Sequence, residues 1–168
     1  PYPAVFGHEG AGVVEAVGAG VSSVVPGDHV IMSFPWCGVC PSCKATRISY
    51  CQDAGKLKQG GTRADGSVLL SQNGQPVYGS FFQQSSFTTF TIAQEPYVVK
   101  IRKDAPLDLL GPLACGGQTG AGAVMNVMQP KPGDSIAVFG TGGVGLSGLM
   151  AAKLLGCDPI IAVDIRPE

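Results

Sequence analysis

The sequence predicts a mixed fold in which a region of short strands, residues 1–110, is followed by the first βαβ unit of a parallel sheet, residues 111–168. Three observations carry that reading. Up to about Lys100, short β-branched runs alternate with Gly, Pro, Asn-Gly and Asp-Gly turn signals, the texture of an irregular barrel or sandwich. From about Leu107, small residues in a helical pattern take over. Beyond them come an apolar run, a glycine-rich turn, a helical stretch and a second apolar run, in the order of a parallel crossover.

Taken in order, Gly12–Val17, His29–Met32, Ser67–Ser71, Phe87–Ile92 and Tyr97–Ile101 are the expected strands, bounded by turn formers. Asp65-Gly66 and Asn73-Gly74 are expected to make hairpin turns. Pro112–Met128 reads as a helical stretch and Pro130–Asp134 as a connector. Ser135–Phe139, Gly143–Leu155 and Ile160–Val163 read as strand, helix and strand. Gly (25) and Pro (13) are spread along the chain, so they mark many turns and not a low-complexity linker. There is no internal repeat.

Composition narrows the function classes. With 168 residues, 45% of them hydrophobic and 14% charged, the chain can bury a substantial core. A net charge of -1 offers no basic face, which argues against nucleic acid or an anionic membrane as the main partner. No apolar run approaches bilayer length, and no signal-peptide pattern opens the sequence, so a cytoplasmic location is expected. The chain opens on Pro1 and stops at Glu168 just after a strand-like run, so it is expected to be a piece of a longer protein.

Gly140-Thr-Gly-Gly-Val-Gly145 fits the dinucleotide-binding pattern, because it follows an apolar strand and opens a helix. Gly140 permits the tight turn and Gly142 the close approach of a pyrophosphate. Gly145 lets helix and strand pack closely, and the N–H groups over Gly142, Gly143, Val144 and Gly145 face the phosphates. Asp164 stands nineteen residues after Gly145, where a carboxylate can accept hydrogen bonds from both ribose hydroxyls and repel a 2′-phosphate. The expected cofactor is NAD in preference to NADP. The plainer alternative is a strand-end Asp capping a turn.

Four of the six cysteines, Cys37, Cys40, Cys43 and Cys51, fall within fifteen residues at gaps of two, two and seven. A disulfide knot, an iron–sulfur cluster or a tetrahedral zinc site could use them. A nicotinamide-binding domain usually works where thiols stay reduced, which favours metal. Four thiolates fill the zinc tetrahedron, so the expected zinc is structural.

Gly7-His8-Glu9-Gly10 and Leu113-Ala-Cys-Gly-Gly-Gln-Thr-Gly120 remain as candidates for chemistry. GHEGAGVVEAVG, the four-cysteine stretch, the cysteine before Gly-x-x-Thr-Gly, and GTGGVG occur here in the order found in zinc-dependent medium-chain alcohol dehydrogenases, which the chain resembles along essentially its whole length. FFQQSSFTTF and LLGPLACGGQTGAGA most resemble the aryl (benzyl) alcohol dehydrogenase branch. The resemblance implies a GroES-like β-barrel catalytic domain over 1–110, with a structural zinc lobe over 37–51, and the start of a Rossmann, doubly wound NAD-binding domain over 111–168. It implies a catalytic zinc held by His8 and Cys115, with Glu9 beside the metal and Thr119 against the nicotinamide. The family's other cysteine ligand and its proton-relay hydroxyl lie before Gly-His-Glu and outside this sequence.

The implied reaction is oxidation of an alcohol to an aldehyde, the small-molecule substrate and product, with hydride transfer to NAD by a homo-oligomer, dimer or tetramer. Phe34 is a candidate wall of a slot for a flat aromatic alcohol, and Trp36 a lesser one. Phe81, Phe82, Phe87 and Cys157 are read as core. Alternatives are a formaldehyde, polyol or aliphatic alcohol dehydrogenase, a quinone-reductase-like relative without catalytic zinc, and a non-enzymatic zinc-binding module.

Overall fold

A computed structural model describes residues 2–63 and 65–166. The chain divides into two compact units, Pro1–Gly111 and Pro112–Glu168.

In the first unit β1 (Ala11–Val13) and β2 (His29–Met32) pair antiparallel, Gly12 opposite Val30. The strand expected over Gly12–Val17 stops at Val13, because Gly27, at φ +86°, turns the chain back and its N–H donates to the Val14 carbonyl. The next elements are α1 (Pro41–Lys44), a 3₁₀ turn (Ile48–Tyr50) and α2 (Ala54–Gln59). They wrap around a small core of Cys40, Cys43 and Cys51, with Trp36, Ala54 and Leu57 packed against it. β3 (Leu70–Gln72) and β4 (Gln75–Val77) form a hairpin closed by Asn73-Gly74. Both turn residues have positive φ, +52° and +74°, as the tight two-residue turn requires. β5 (Val98–Lys100) completes the sheet on the other side of β2.

The central strand carries the burial. Val30, Ile31 and Met32 are all buried, each contributing about 1.5–3 kcal/mol of apolar transfer. Lys100 pairs with buried Asp28 at 2.8 Å and fixes β5 against the turn that enters β2. The strand expected over Phe87–Ile92 is not formed, and no described strand pairs with it. Phe87, read from sequence as core, is 79% exposed.

In the second unit α3 (Gly116–Gly122) runs into a π-helical turn over Ala123–Met128 and ends at Gln129 with φ +49°. β6 (Ile136–Phe139) lies parallel to β7 (Ile160–Val163), connected through α4 (Gly143–Leu154). Val124, Ile136, Ala151, Ala152 and Cys157 form the core, Cys157 as expected. The helical stretch expected over Pro112–Met128 is broken at Cys115, with φ −129° and ψ −89°, and runs on from Gly116 with helical dihedrals. Gly120 marks where α3 packs on α4. A Cβ there would lie 2.0 Å from the Val144 carbonyl oxygen, so α3 and α4 meet backbone to backbone. Of the described residues, no helix is long and apolar enough to cross a membrane.

Candidate functional site

Each group of candidate residues is built by local backbone constraints. His8 sits on a bend held between two glycines that have no room for a side chain. Gly7 takes φ +101°, and a Cβ on it would lie 2.5 Å from the Phe87 nitrogen; one on Gly10 would lie 2.1 Å from the Met32 Cε. The Ser86 N–H donates to the Gly7 carbonyl and the Met32 N–H to the Gly10 carbonyl, so both ends of the bend are tied down. His8 is half-buried. Its ring lies 4.6 Å from the Phe82 ring at a 31° tilt and 6.0 Å from Phe81 edge-on. Glu9 is exposed.

Phe81 and Phe82 are thus neighbours of His8, and both are half-buried instead of core. Their segment is unusual in its backbone: Ser80, Phe82, Gln83 and Ser85 have φ of +55°, +52°, +56° and +47°, the left-handed region that side chains disfavour. Two buried amides hold it there. Gln83 donates to the carbonyls of Leu57 and Thr62, at 3.0 and 3.2 Å. Gln84 accepts from the Gly10 N–H at 3.1 Å and donates to the Ser33 carbonyl at 3.3 Å. Sequence reading passed over this pair, although two uncharged amides inside an aromatic run are a signal for buried hydrogen bonding. Phe34 is half-buried, with the Lys58 ammonium 5.0 Å from its ring centroid and 5.6 Å from that of Phe82. The Trp36 carbonyl accepts from the Tyr97 hydroxyl at 2.7 Å.

The four sulfurs of Cys37, Cys40, Cys43 and Cys51 lie within 4.8 Å of one another, and none is in a disulfide. Thiolates on a zinc at about 2.3 Å would be about 3.8 Å apart, so the cluster has the size of a tetrahedral site. Backbone N–H groups already point at the sulfurs: Cys40 donates to Cys37 Sγ and Cys37 to Cys51 Sγ, both at 3.3 Å. The thiols do not share protons equally. N–H groups of Gln52 and Cys43 draw Cys40 down to about 6. N–H groups of Val39 and Cys40 favour the Cys37 thiolate too, but burial and the neighbouring Asp53 and Cys51 outweigh them and push it up to about 12. Burial likewise raises Cys43. Bringing four sulfurs this close sets their thiolates against one another, and a bound cation would offset that repulsion.

In the second unit Cys115, half-buried, precedes α3, and its carbonyl accepts from both the N–H (3.0 Å) and the hydroxyl (2.8 Å) of Thr119. The glycine-rich turn Gly140–Gly145 joins β6 to α4. Gly140 takes φ +94°, and a Cβ on Gly145 would lie 1.8 Å from the Gly140 carbonyl oxygen. No side chain caps the start of α4 at Gly142. With Gly143 and Val144 exposed on its first turn, the helix presents N–H groups to solvent as a phosphate cradle would. Asp164 follows β7 and reaches the same turn: Oδ2 accepts from the Thr141 N–H at 2.6 Å and the Thr141 hydroxyl at 2.8 Å. Oδ1 accepts from the Arg166 N–H at 3.0 Å. Asp164 therefore does cap a turn, while its carboxylate stays exposed.

Residues 1–103 match the family model of the alcohol dehydrogenase GroES-like domain. The chain belongs to this family. Within the alcohol dehydrogenases it is 55% identical over 167 residues to a probable alcohol dehydrogenase of Pseudomonas sp, covering 98% of this chain and 52% of that protein. It is 48% identical to the geraniol dehydrogenase of Castellaniella defragrans, covering 98% of this chain and 44% of the relative. Among solved structures, benzyl alcohol dehydrogenase from Acinetobacter calcoaceticus superposes with a TM-score of 0.88 at 43% identity, over 99% of this chain and 44% of that one. The chain spans about half the length of the curated relatives it matches.

Proposed function

We propose that the complete protein is a zinc-dependent dehydrogenase that oxidises a primary alcohol, aromatic or benzylic, to its aldehyde and passes the hydride to NAD. The observation that carries the substrate class is the aromatic surround of His8: an imidazole held on the face of Phe82, with Phe81 edge-on. Such rings favour a flat, apolar carbinol-bearing group over a small hydrophilic one. Likeness to a benzyl alcohol dehydrogenase supports the same reading. Likeness to a geraniol dehydrogenase supports a second substrate, since geraniol, like benzyl alcohol, carries its CH₂OH next to an sp² carbon.

The residues divide the work. His8 and Cys115 would hold the catalytic zinc, with Glu9 modulating the charge beside it. Thr119, anchored on the Cys115 carbonyl, would place its side chain against the nicotinamide. Zinc would supply the Lewis acidity that lowers an alcohol's pKa, and NAD would accept the hydride. Gly140, Gly142, Gly143, Val144 and Gly145 would receive the pyrophosphate on backbone N–H groups, and Asp164 the adenosine ribose. Cys37, Cys40, Cys43 and Cys51 would hold a second, structural zinc with no position left for substrate.

The test compares oxidation of benzyl alcohol, geraniol, ethanol and a polyol by the complete protein with NAD. Benzyl alcohol and geraniol should exceed ethanol in kcat/KM by at least about tenfold; a preference for ethanol or the polyol would overturn the aromatic reading. Cys115→Ala should abolish turnover while one zinc per subunit remains bound.

A further inference from the structure

Asp164 is expected to bind the two vicinal hydroxyls of the adenosine ribose, yet its carboxylate is largely committed within the chain. A carboxylate offers about four acceptor positions, two on each oxygen. Thr141 fills both on Oδ2, through its N–H and its hydroxyl. Arg166 takes one on Oδ1. The Ile165 N–H also leans on the carboxylate, so at most one acceptor position remains, which suits one hydroxyl and not two.

The hydroxyl of Thr141 resolves the shortfall. A threonine oxygen has one proton to donate and two lone pairs to accept with. Its proton is spent on Asp164, so toward a ligand this oxygen can act only as an acceptor. Thr141 is half-buried and Asp164 exposed, so the pair is open to solvent on one side.

Resting on the reading that this unit takes NAD, we propose that Thr141 is a specificity-determining residue: its hydroxyl oxygen accepts a hydrogen bond from one ribose hydroxyl while Asp164 Oδ1 accepts from the other. The diol is then met by two acceptors on two residues, each oriented by the bond between them. A 2′-phosphate has only acceptor oxygens when ionised, so it faces two oxygens that have nothing to donate. Thr141 thereby adds to the discrimination that the charge of Asp164 begins. Loss of one such bond to an accessible group corresponds to roughly a threefold to tenfold change in affinity.

The experiment is calorimetric titration of the complete protein, its Thr141→Val variant and its Thr141→Ser variant. The ligands are NAD, NADP and two NAD analogues that lack the 2′- or the 3′-hydroxyl of the adenosine ribose. Thr141→Val should weaken NAD binding roughly fivefold and narrow the NAD/NADP ratio, and Thr141→Ser should restore both. One of the deoxy analogues should lose affinity against the unaltered protein but lose nothing further against Thr141→Val, since the bond is already gone. Unchanged NAD affinity in Thr141→Val, or equal deoxy penalties in both proteins, would overturn the proposal. If the unaltered protein binds NADP as well as NAD and Asp164→Asn alters neither, the underlying cofactor reading fails, and this one fails with it. Far-ultraviolet dichroism on each variant separates lost binding from lost folding.

Discussion

The Asp164 carboxylate is held at about 2, first by the Thr141 N–H, then by the Arg166 N–H and the Thr141 hydroxyl. A carboxylate depressed in the folded state adds stability above its unfolded value, here 3.8, and that contribution is lost as pH falls through the folded one. The clasp between the glycine-rich turn and the end of β7 should therefore be intact at neutral pH and fail only in strong acid. A carboxylate NMR titration should find its midpoint near 2, and Thr141→Val should raise it only part of the way toward 3.8, because the N–H bonds of residues 141 and 166 remain. Asp164→Gly should shift preference toward NADP, read as the ratio of kcat/KM for the two cofactors. Equal efficiency of the unaltered protein with both would contradict the assignment. The position of Asp164 was legible from its distance to the glycines. Its partner was not, because nothing in G-T-G-G-V-G tells which way the threonine side chain points.

Among the elements, the segment Ser80–Ser86 depends on its two glutamines more than on apolar packing. Gln84→Leu would leave the Gly10 N–H and the Ser33 carbonyl without their side-chain partner, at a cost of about 1–3 kcal/mol, measurable as a lower denaturant midpoint. Because Gly10 lies two residues past His8, turnover should fall with stability. From the proposed structural-zinc role of the four-cysteine lobe, Cys40→Ser should lower the melting temperature while kcat changes little. Gly120→Ala should destabilise the second unit by about 1–3 kcal/mol or more, because the added methyl meets the Val144 carbonyl with no space to yield. Strand β2, helix α4 and the Asn73-Gly74 turn were legible because local pattern and tertiary role agree there. Phe87–Ile92 misled for the opposite reason: its composition suits a strand, but pairing is a tertiary event that composition cannot supply. The break at Cys115 was equally hidden, since nothing in the small residues around it marks a non-helical position.

At the scale of the whole molecule, metal content separates the competing readings. The complete protein should carry two zincs per subunit by elemental analysis; one would point to a binding module and none to a zinc-free relative. Light scattering should find the complete protein as a dimer or tetramer. Residues 1–168 produced alone present Phe139 at 79%, Leu154 at 80% and Ile165 at 100% exposure. They should bind a hydrophobic dye strongly and aggregate without a fixed size, where the complete protein should bind the dye weakly and stop at its dimer or tetramer. Family and broad architecture were readable because several short motifs occur in one order, which chance does not assemble. Side-chain partnerships were not, because each depends on a rotamer.

The left-handed backbone around Phe82 also alters how the gene should tolerate change. In most of a folded chain, glycine is among the worst replacements and a branched residue often harmless. At Ser80 that order should invert. Ser80 lends its carbonyl to the N–H and the side-chain amide of Gln83, bonds that a change of side chain keeps, so a deep mutational scan should retain Ser80→Gly and Ser80→Asn and purge Ser80→Val. Ser85 is held more tightly, because its hydroxyl donates to the Val5 carbonyl and accepts from the Phe81 N–H. Two serines five residues apart, indistinguishable by composition, should thus leave opposite marks in a library: one position drifting toward glycine, the other fixed.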